Sequence, residues 1–308
     1  MSKERYCAID IGSNAMRAVF AKVKDNEVYC FKNYRFPLRL GADVFKYGKI
    51  KPDRQKITED AFGELFLKLT KHKVENVRAC ATSALRDSLN GEYIINRIKS
   101  QTGIEIDVID GVKEAQLIKN IIDFKFSLKN KTALLIDIGG GSTEVTLTQG
   151  SRIITSRSYQ FGTVRLLESH KLKSIEEDII YFCDNVNSHL SHYTDQIDVC
   201  FGTGGNLRRM GKLRSDLLGK ASTQIQDHEL ESILTEITPY SIEKRMKLFN
   251  MRRDRADVII PAMQMIEHLL HYTNVNKIHL PRVGLKEGIL LDMIRPKPER
   301  IHLAIKDQ

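Results

Sequence analysis

Two short segments of this chain place acids beside glycines in the same order. The first is Ala8-Ile9-Asp10-Ile11-Gly12-Ser13-Asn14, and the second is Leu135-Ile136-Asp137-Ile138-Gly139-Gly140-Gly141-Ser142-Thr143-Glu144. In each, an apolar run delivers an aspartate and a glycine-bearing turn follows. A second apolar run then leaves the turn, Val19-Phe20-Ala21 in one copy and Val145-Thr146-Leu147-Thr148 in the other. Glycine lacks a Cβ, so it can take positive φ and let backbone N–H groups approach an anion closely. Gly12, Ser13 and Asn14 offer one cradle of amides and hydroxyls for phosphate. Gly139, Gly140, Gly141, Ser142 and Thr143 offer a second. Asp137 and Glu144 flank the second cradle, with Asp10 at the matching point of the first. Carboxylates beside bound phosphate are how proteins hold Mg²⁺ or another divalent cation. One such turn alone reads as a tight hairpin. Two, with Asp at the same point, read as facing half-sites for phosphate and metal.

Neither segment ends in the Gly-Lys-Ser/Thr of a P-loop. A strand rather than a helix follows each, so neither is a dinucleotide fingerprint. Hairpin amides, not a helix dipole, are therefore expected to hold the phosphates. Three further segments carry polar chemistry. Ala81-Thr82-Ser83-Ala84-Leu85-Arg86 follows an apolar strand. Thr82 and Ser83 can donate to a phosphate there, and Arg86 can pair with one bidentately. Asp110-Gly111-Val112-Lys113-Glu114 puts Glu114 in the first turn of a helix, where the dipole favours a carboxylate. Gly202-Thr203-Gly204-Gly205-Asn206 adds a third glycine turn, with Gly204 at its centre as a further anion contact.

The elements that must position these residues follow from periodicity. Three strands are expected over 5–39. Pro52-Asp53 opens an amphipathic helix to about Lys71, with Ile57, Ala61, Leu65 and Leu69 on one face. A strand at 77–81, a helix at 91–100, a strand at 104–109 and a helix at 112–124 follow. After Lys129-Asn130-Lys131, a hinge candidate, strands are expected again at 132–138, 143–148 and 152–158. Helices from 162 and 175, a strand at 197–201 and helices from 205, 227 and 254 come next. A strand at 277–280 leads to a helix opened by Gly284, and the Arg295–Arg300 stretch reads as a solvated turn into a short closing element. Both halves thus run βββαβα, an order that resembles the ribonuclease H-like domain pair of actin-like ATPases and implies an α/β fold with an interdomain cleft. The expected domains are 1–126 and 127–308, with the extreme C-terminus packing back on the first.

At 308 residues, two domains are the natural prior. The chain is 42% hydrophobic and 28% charged, an ordinary globular composition. No signal peptide or membrane span is expected. Five scattered cysteines without a CxxC pair read as free thiols of a reducing cytoplasm. No histidine pair completes a zinc pattern. The net charge of +9 attracts anions, polyphosphate and nucleotides among them. No nucleic-acid module appears, so neither nucleic acid nor membrane is an expected partner.

Together these motifs resemble those of the exopolyphosphatase and guanosine pentaphosphate phosphatase family. Asp10–Asn14, Ala81–Gly91, Gly111–Ala115, Asp137–Glu144, Gly162–Leu166, Gly202–Gly205, Arg255–Pro261 and Gly284–Gly288 match in order along nearly the whole chain. The resemblance implies that Glu114, thirty residues before Glu144, is the catalytic carboxylate. It implies hydrolysis of a terminal phosphoanhydride of inorganic polyphosphate, short chains above all, or of guanosine pentaphosphate. Arg86 then neutralises charge on the transferred group, while Asp137, Glu144 and Asp10 hold Mg²⁺. The chain is similar to the family's short members, and a homodimer is expected by the same likeness. Ala15, Asp110 and Lys113 depart from the family pattern. A small-molecule kinase of the same fold and a non-catalytic polyphosphate or alarmone sensor are the rival classes.

Overall fold

The first apolar runs form an antiparallel meander because each is long enough for a strand and each break is a short turn. In the computed structural model, which describes residues 4–169, 174–193, 196–294 and 297–303, these are β1 (Arg5–Ile11), β2 (Met16–Lys24) and β3 (Glu27–Phe36). Asp25 and Asn26 close the second turn at φ 52° and 58°, the left-handed pair that suits the twist of a two-residue hairpin. Then come α1 (Leu40–Tyr47), α2 (Pro52–Lys71), β4 (Asn76–Ala81), α3 (Ser83–Arg86), α4 (Gly91–Thr102), β5 (Ile106–Val108) and α5 (Gly111–Phe126). β4 and β5 extend the meander in parallel on the β1 side.

The second half repeats the scheme with β6 (Thr132–Ile138), β7 (Thr143–Gln149), β8 (Arg152–Tyr159), α6 (Thr163–Ser169), α7 (Ile175–Leu190), β9 (Val199–Thr203) and α8 (Gly205–Leu218). β10 (Gln224–Gln226), α9 (Asp227–Ile237), α10 (Ile242–Leu248), α11 (Arg253–Ala256), α12 (Ile259–Tyr272), β11 (Lys277–His279), α13 (Leu285–Met293) and β12 (Arg300–His302) complete the chain. The sheets run β12-β3-β2-β1-β4-β5 and β10-β11-β9-β6-β7-β8. Read outward from β3 and from β8, both show three antiparallel strands followed by two parallel ones, with β10 added antiparallel at the far edge of the second sheet. This is the ribonuclease H-like arrangement, present twice, as in actin-like ATPases. Even an irregularity is shared: the β2–β3 register slips at Phe20/Ala21 and the β7–β8 register at the equivalent Leu147/Thr148.

Two compact units result, Met1–Ile121 with Leu285–Gln308, and Ile122–Gly284. In the first, Ile9, Ile11, Phe20, Phe62, Leu65, Ile94 and Ile98 form a buried core beneath the sheet. α13 also belongs there: a Cβ on Gly288 would lie 2.4 Å from the Leu117 carbonyl oxygen, so only glycine lets α13 approach α5 this closely. β12 pairs in parallel with β3, and His302 stacks on Tyr29 at 4.5 Å between ring centroids. Of the expected turn before it, Arg295 and Pro296 lie outside the described residues. In the second unit, Ile136, Leu147, Phe182, Met210, Ile233 and Ile266 belong to one buried cluster.

Several expectations need correction. Ile57 is 51% exposed, whereas Thr58 and Phe62 are buried beside Ala61, Leu65 and Leu69. Ala61, Leu65 and Leu69 thus face inward as expected, and Thr58 and Phe62 complete the stripe in place of Ile57. The strand at 104–109 shrinks to three residues, Ile106–Val108. The helix from 254 is two, α11 and α12, with Asp257 and Val258 between them. α1, α3, α10 and β10 were not expected from periodicity; each spans eight residues or fewer, too short to show a repeat.

Candidate active site

The strand register places the first unit's polar segments along one edge of its sheet. Ile11 pairs with Ala81, and Ala81 with Val108. Gly12–Ala15, Thr82–Arg86 and Asp110–Glu114 follow these three residues. All three segments therefore leave the C-terminal ends of parallel strands, where open α/β sheets bind ligands. The Thr82 amide donates to the Ile11 carbonyl at 3.2 Å and the Ile109 amide to the Ala81 carbonyl at 3.0 Å. The buried Ser13 and Ser83 hydroxyls meet at 2.9 Å. Arg86 donates from its guanidinium to the Ile109 carbonyl at 2.9 Å and lies 3.5 Å from the Asp87 carboxylate. It thus braces the turn that starts α5. Glu114, in the first turn of α5, is 6% exposed.

Within the Gly12 turn the Gly12 amide donates to Ala15 O at 3.2 Å. The carbonyls of Ser13 and Asn14 accept from the Gly41 and Arg39 amides at 2.9 and 3.0 Å, at the start of α1. A trans peptide points its N–H opposite to its C=O. The amides of Asn14 and Ala15 are therefore turned away from α1. Arg39 makes this contact with left-handed backbone at φ 51°, a strained conformation for a residue with a Cβ.

The second unit uses the same construction more fully. The Gly139 amide donates to Ser142 O at 3.0 Å. The Gly139 carbonyl accepts from the Thr163 amide at 3.2 Å. The Gly140 carbonyl accepts from Val164 and Arg165 amides at 2.8 and 2.9 Å. The Gly141 carbonyl accepts from Arg165 Nε at 2.7 Å. Three consecutive carbonyls are thus consumed at the start of α6, and the N–H groups of Gly140, Gly141 and Ser142 point the other way. Gly162 makes this packing feasible: a Cβ there would lie 2.5 Å from Gly141 N. Neither Gly12 nor Gly139 uses left-handed backbone, so positive φ is not why these two are glycine. Gly204 does, at φ 101°, and a Cβ on it would lie 2.6 Å from Ile138 O. It follows β9, whose Thr203 pairs with Asp137, so Gly204 emerges at the same edge as Gly139.

Asp137 and Glu144 sit directly opposite each other on β6 and β7, 9% and 2% exposed. Their carboxylate oxygens approach within 4.8 Å. The Thr203 hydroxyl donates to Asp137 Oδ1, and the Ser158 hydroxyl donates to Glu144 Oε1 at 2.7 Å. Two buried carboxylates facing each other repel, and a divalent cation with a preference for oxygen ligands relieves that repulsion. The donor set therefore fits Mg²⁺. In the first unit the partner of Asp10 across the hairpin is Arg17, which pairs with it at 3.3 Å. Burial raises the Asp10 carboxyl above its ordinary range; Arg17 and Lys286 pull it down, and Glu287 pushes it up. So the two loops share a backbone and differ in charge: the cation Arg17 stands where the second loop has Glu144. The repeat, aligned in sequence, places Arg17 at that point, a signal the acid-and-glycine pattern passes over. Thr203 and Ser158, which orient the acids, carry no sequence signal of that role.

Both the fold and the sequence have counterparts among known proteins. An exopolyphosphatase structure from Cytophaga hutchinsonii matches with a TM-score of 0.86 at 23% identity, covering 94% of this chain and 97% of that one. A Ppx/GppA family structure from Aquifex aeolicus matches with a TM-score of 0.77 at 23% identity, covering 94% and 97%. At such identity these likenesses establish the fold. Among curated proteins, a bifunctional 3-dehydroquinate synthase/phosphatase of Fusobacterium nucleatum is 31% identical over 94% of this chain and 46% of its own length. A guanosine-5'-triphosphate,3'-diphosphate pyrophosphatase of Vibrio cholerae is 23% identical over 96% of this chain and 60% of its own. The chain thus spans about half the length of one of these curated relatives and three fifths of the other. The Ppx/GppA phosphatase family model matches residues 19–296, nearly the whole chain, and the chain belongs to that family.

Proposed function

We propose that this protein hydrolyses the terminal phosphoanhydride of inorganic polyphosphate, short chains in particular, and releases orthophosphate. The observation that carries the reading is the set of carbonyls of Gly139, Gly140 and Gly141 bound at the start of α6, which turns three amides outward beside a pair of buried carboxylates. Such an array suits an anion whose charge grows during reaction.

In this reading the amides and hydroxyls around Gly12, Ser13, Asn14, Gly139, Gly140, Gly141, Ser142 and Thr143 cradle adjacent phosphates. Thr82, Ser83 and Gly204 add contacts. Arg86 offsets the negative charge on the transferred group. Glu114 orients a water and accepts its proton as the water oxygen attacks the terminal phosphorus. The bridging P–O bond breaks in line, and the shortened chain leaves with its electron pair. Positioning and electrostatics lower most of the barrier, as in phosphoryl transfer generally. Asp137 and Glu144 would hold Mg²⁺, with Asp10 a weaker candidate because Arg17 already engages it. When bound, the cation neutralises phosphate charge.

Guanosine pentaphosphate is the second reading, favoured by the activity named for the Vibrio cholerae relative. Its 5′ end is also a terminal phosphoanhydride. The cytoplasm is the compartment that fits five free, buried cysteines; among the described residues no helix is long and apolar enough to cross a membrane. Orthophosphate release from the two substrates, measured side by side with Mg²⁺ for wild type and Glu114→Gln, tests the proposal. The variant should lose about 10²–10⁴-fold in turnover and still bind polyphosphate. Near-normal turnover refutes the role given to Glu114.

A further inference from the structure

A line of side chains runs from α11 to the second glycine loop, and its donors and acceptors admit only one direction. Arg255 donates from its guanidinium to Asn206 Oδ1 at 2.7 Å. Asn206 Nδ2 donates to Thr163 Oγ1 at 3.1 Å. Thr163 Oγ1 donates to the Gly139 carbonyl at 3.4 Å. Asn206 and Thr163 are 2% and 1% exposed, so water does not compete for them. A guanidinium has only donors, so it fixes the oxygen of the Asn206 amide toward Arg255. The NH₂ end is then the only one left for Thr163. The Thr163 oxygen must accept, and its own proton is directed onto Gly139 O.

We propose that Asn206, held by Arg255, is a positioning residue that sets the Gly139–Gly140 peptide for phosphate. The Gly139 carbonyl and the Gly140 amide belong to one planar unit. A donor chain ending on that carbonyl polarises the peptide and strengthens the Gly140 N–H toward an anion, as aligned hydrogen bonds do in a low-dielectric interior. The arrangement also explains why the Gly202–Asn206 turn is needed close to Gly139: it delivers Asn206 into the first turn of α8. The inference rests on the Gly139 loop being the phosphate loop.

The decisive variant is Asn206→Asp. It is nearly isosteric and keeps the partner of Arg255, but a carboxylate has no proton to give Thr163. The Thr163 hydroxyl then donates to the introduced carboxylate and abandons Gly139 O. Thr163→Val removes the hydroxyl outright, and Thr163→Ser restores it. Three quantities are measured on the full chain: the ¹H–¹⁵N resonance of Gly140, the affinity for a short inorganic polyphosphate by calorimetry, and the thermal midpoint. Asn206→Asp and Thr163→Val should each shift the Gly140 resonance and weaken binding by about 2- to 5-fold, the scale of a partial loss of strength in one hydrogen bond to a charged group. Thr163→Ser should match wild type in both, and the double variant Asn206→Asp/Thr163→Val should be no worse than either single one. An unmoved Gly140 resonance in Asn206→Asp, or a Thr163→Ser protein as weak as Thr163→Val, overturns the relay. If wild type binds no polyphosphate at all, the proposed function fails; the Gly140 resonance still decides the relay.

Discussion

Gly162→Ala adds one methyl group where the structure leaves no room for it. The new Cβ would lie 2.5 Å from Gly141 N and 2.6 Å from Gly140 C and Gly141 C. All three are backbone atoms, and ordinary contact begins near 3.4 Å. The loop must therefore withdraw by roughly 1 Å or the helix start must tilt, since neither side can rotate a side chain aside. Overpacking of this kind costs about 1–3 kcal/mol of stability. The functional loss should be larger in proportion, because the displaced atoms carry the amides that face phosphate. Misplacement by about 1 Å lowers rates on the order of 10²-fold, and loss of one such donor about 10²–10³-fold. Gly63→Ala is the matched control. It lies within α2, with nothing within 4 Å of the added Cβ and no left-handed φ. It should stabilise the protein by about 0.5–1 kcal/mol and leave catalysis alone. Chemical denaturation gives the stability of each, and orthophosphate release from short polyphosphate gives kcat and KM. A Gly162→Ala enzyme within about threefold of wild type in kcat/KM would refute the assignment of these amides to the phosphate, given the 10²-fold scale above.

Other substitutions probe the remaining parts. Gly204→Ala meets both a left-handed φ of 101° and the Ile138 carbonyl at 2.6 Å; its thermal midpoint should fall by several degrees, corresponding to about 2–4 kcal/mol. Asp137→Asn removes one charge from the facing carboxylates, so the Mg²⁺ concentration for half-maximal activity should rise by about 10-fold or more, checked by metal titration of an EDTA-treated protein. Glu229 is held at about 2, below its ordinary 4.5, chiefly by Arg214, with Lys220 and the Gln226 amide assisting against the cost of burial. Between those values the unfolded chain binds the proton that the native one refuses. Stability from this group is therefore full above about pH 4.5 and is lost as pH falls toward 2. Glu229→Gln should flatten that part of the acid-denaturation curve while lowering stability at neutral pH, because Arg214 is left buried without its charge partner.

Local patterning was enough to read the repeated βββαβα order and the two Asp-Gly turns, because strand length, turn residues and an acid at a fixed point are properties of short segments. It also put Glu114 on a helix start and Asp137 and Glu144 on flanking strands. What those turns do with their backbone came from long-range packing. The carbonyls of Ser13 and Asn14 are bound by α1, those of Gly139, Gly140 and Gly141 by α6, and these partners lie more than twenty residues away along the chain. The direction of an amide depends on what holds the carbonyl behind it, and no periodicity records that. The same holds for Ile57, whose exposure is set by how α2 meets its sheet. It holds too for Arg17, which neutralises Asp10 across the hairpin and makes the first loop a different electrostatic object from the second. Residue types wrote the donor inventory; the packing of distant helix starts against each loop chose which donors face outward.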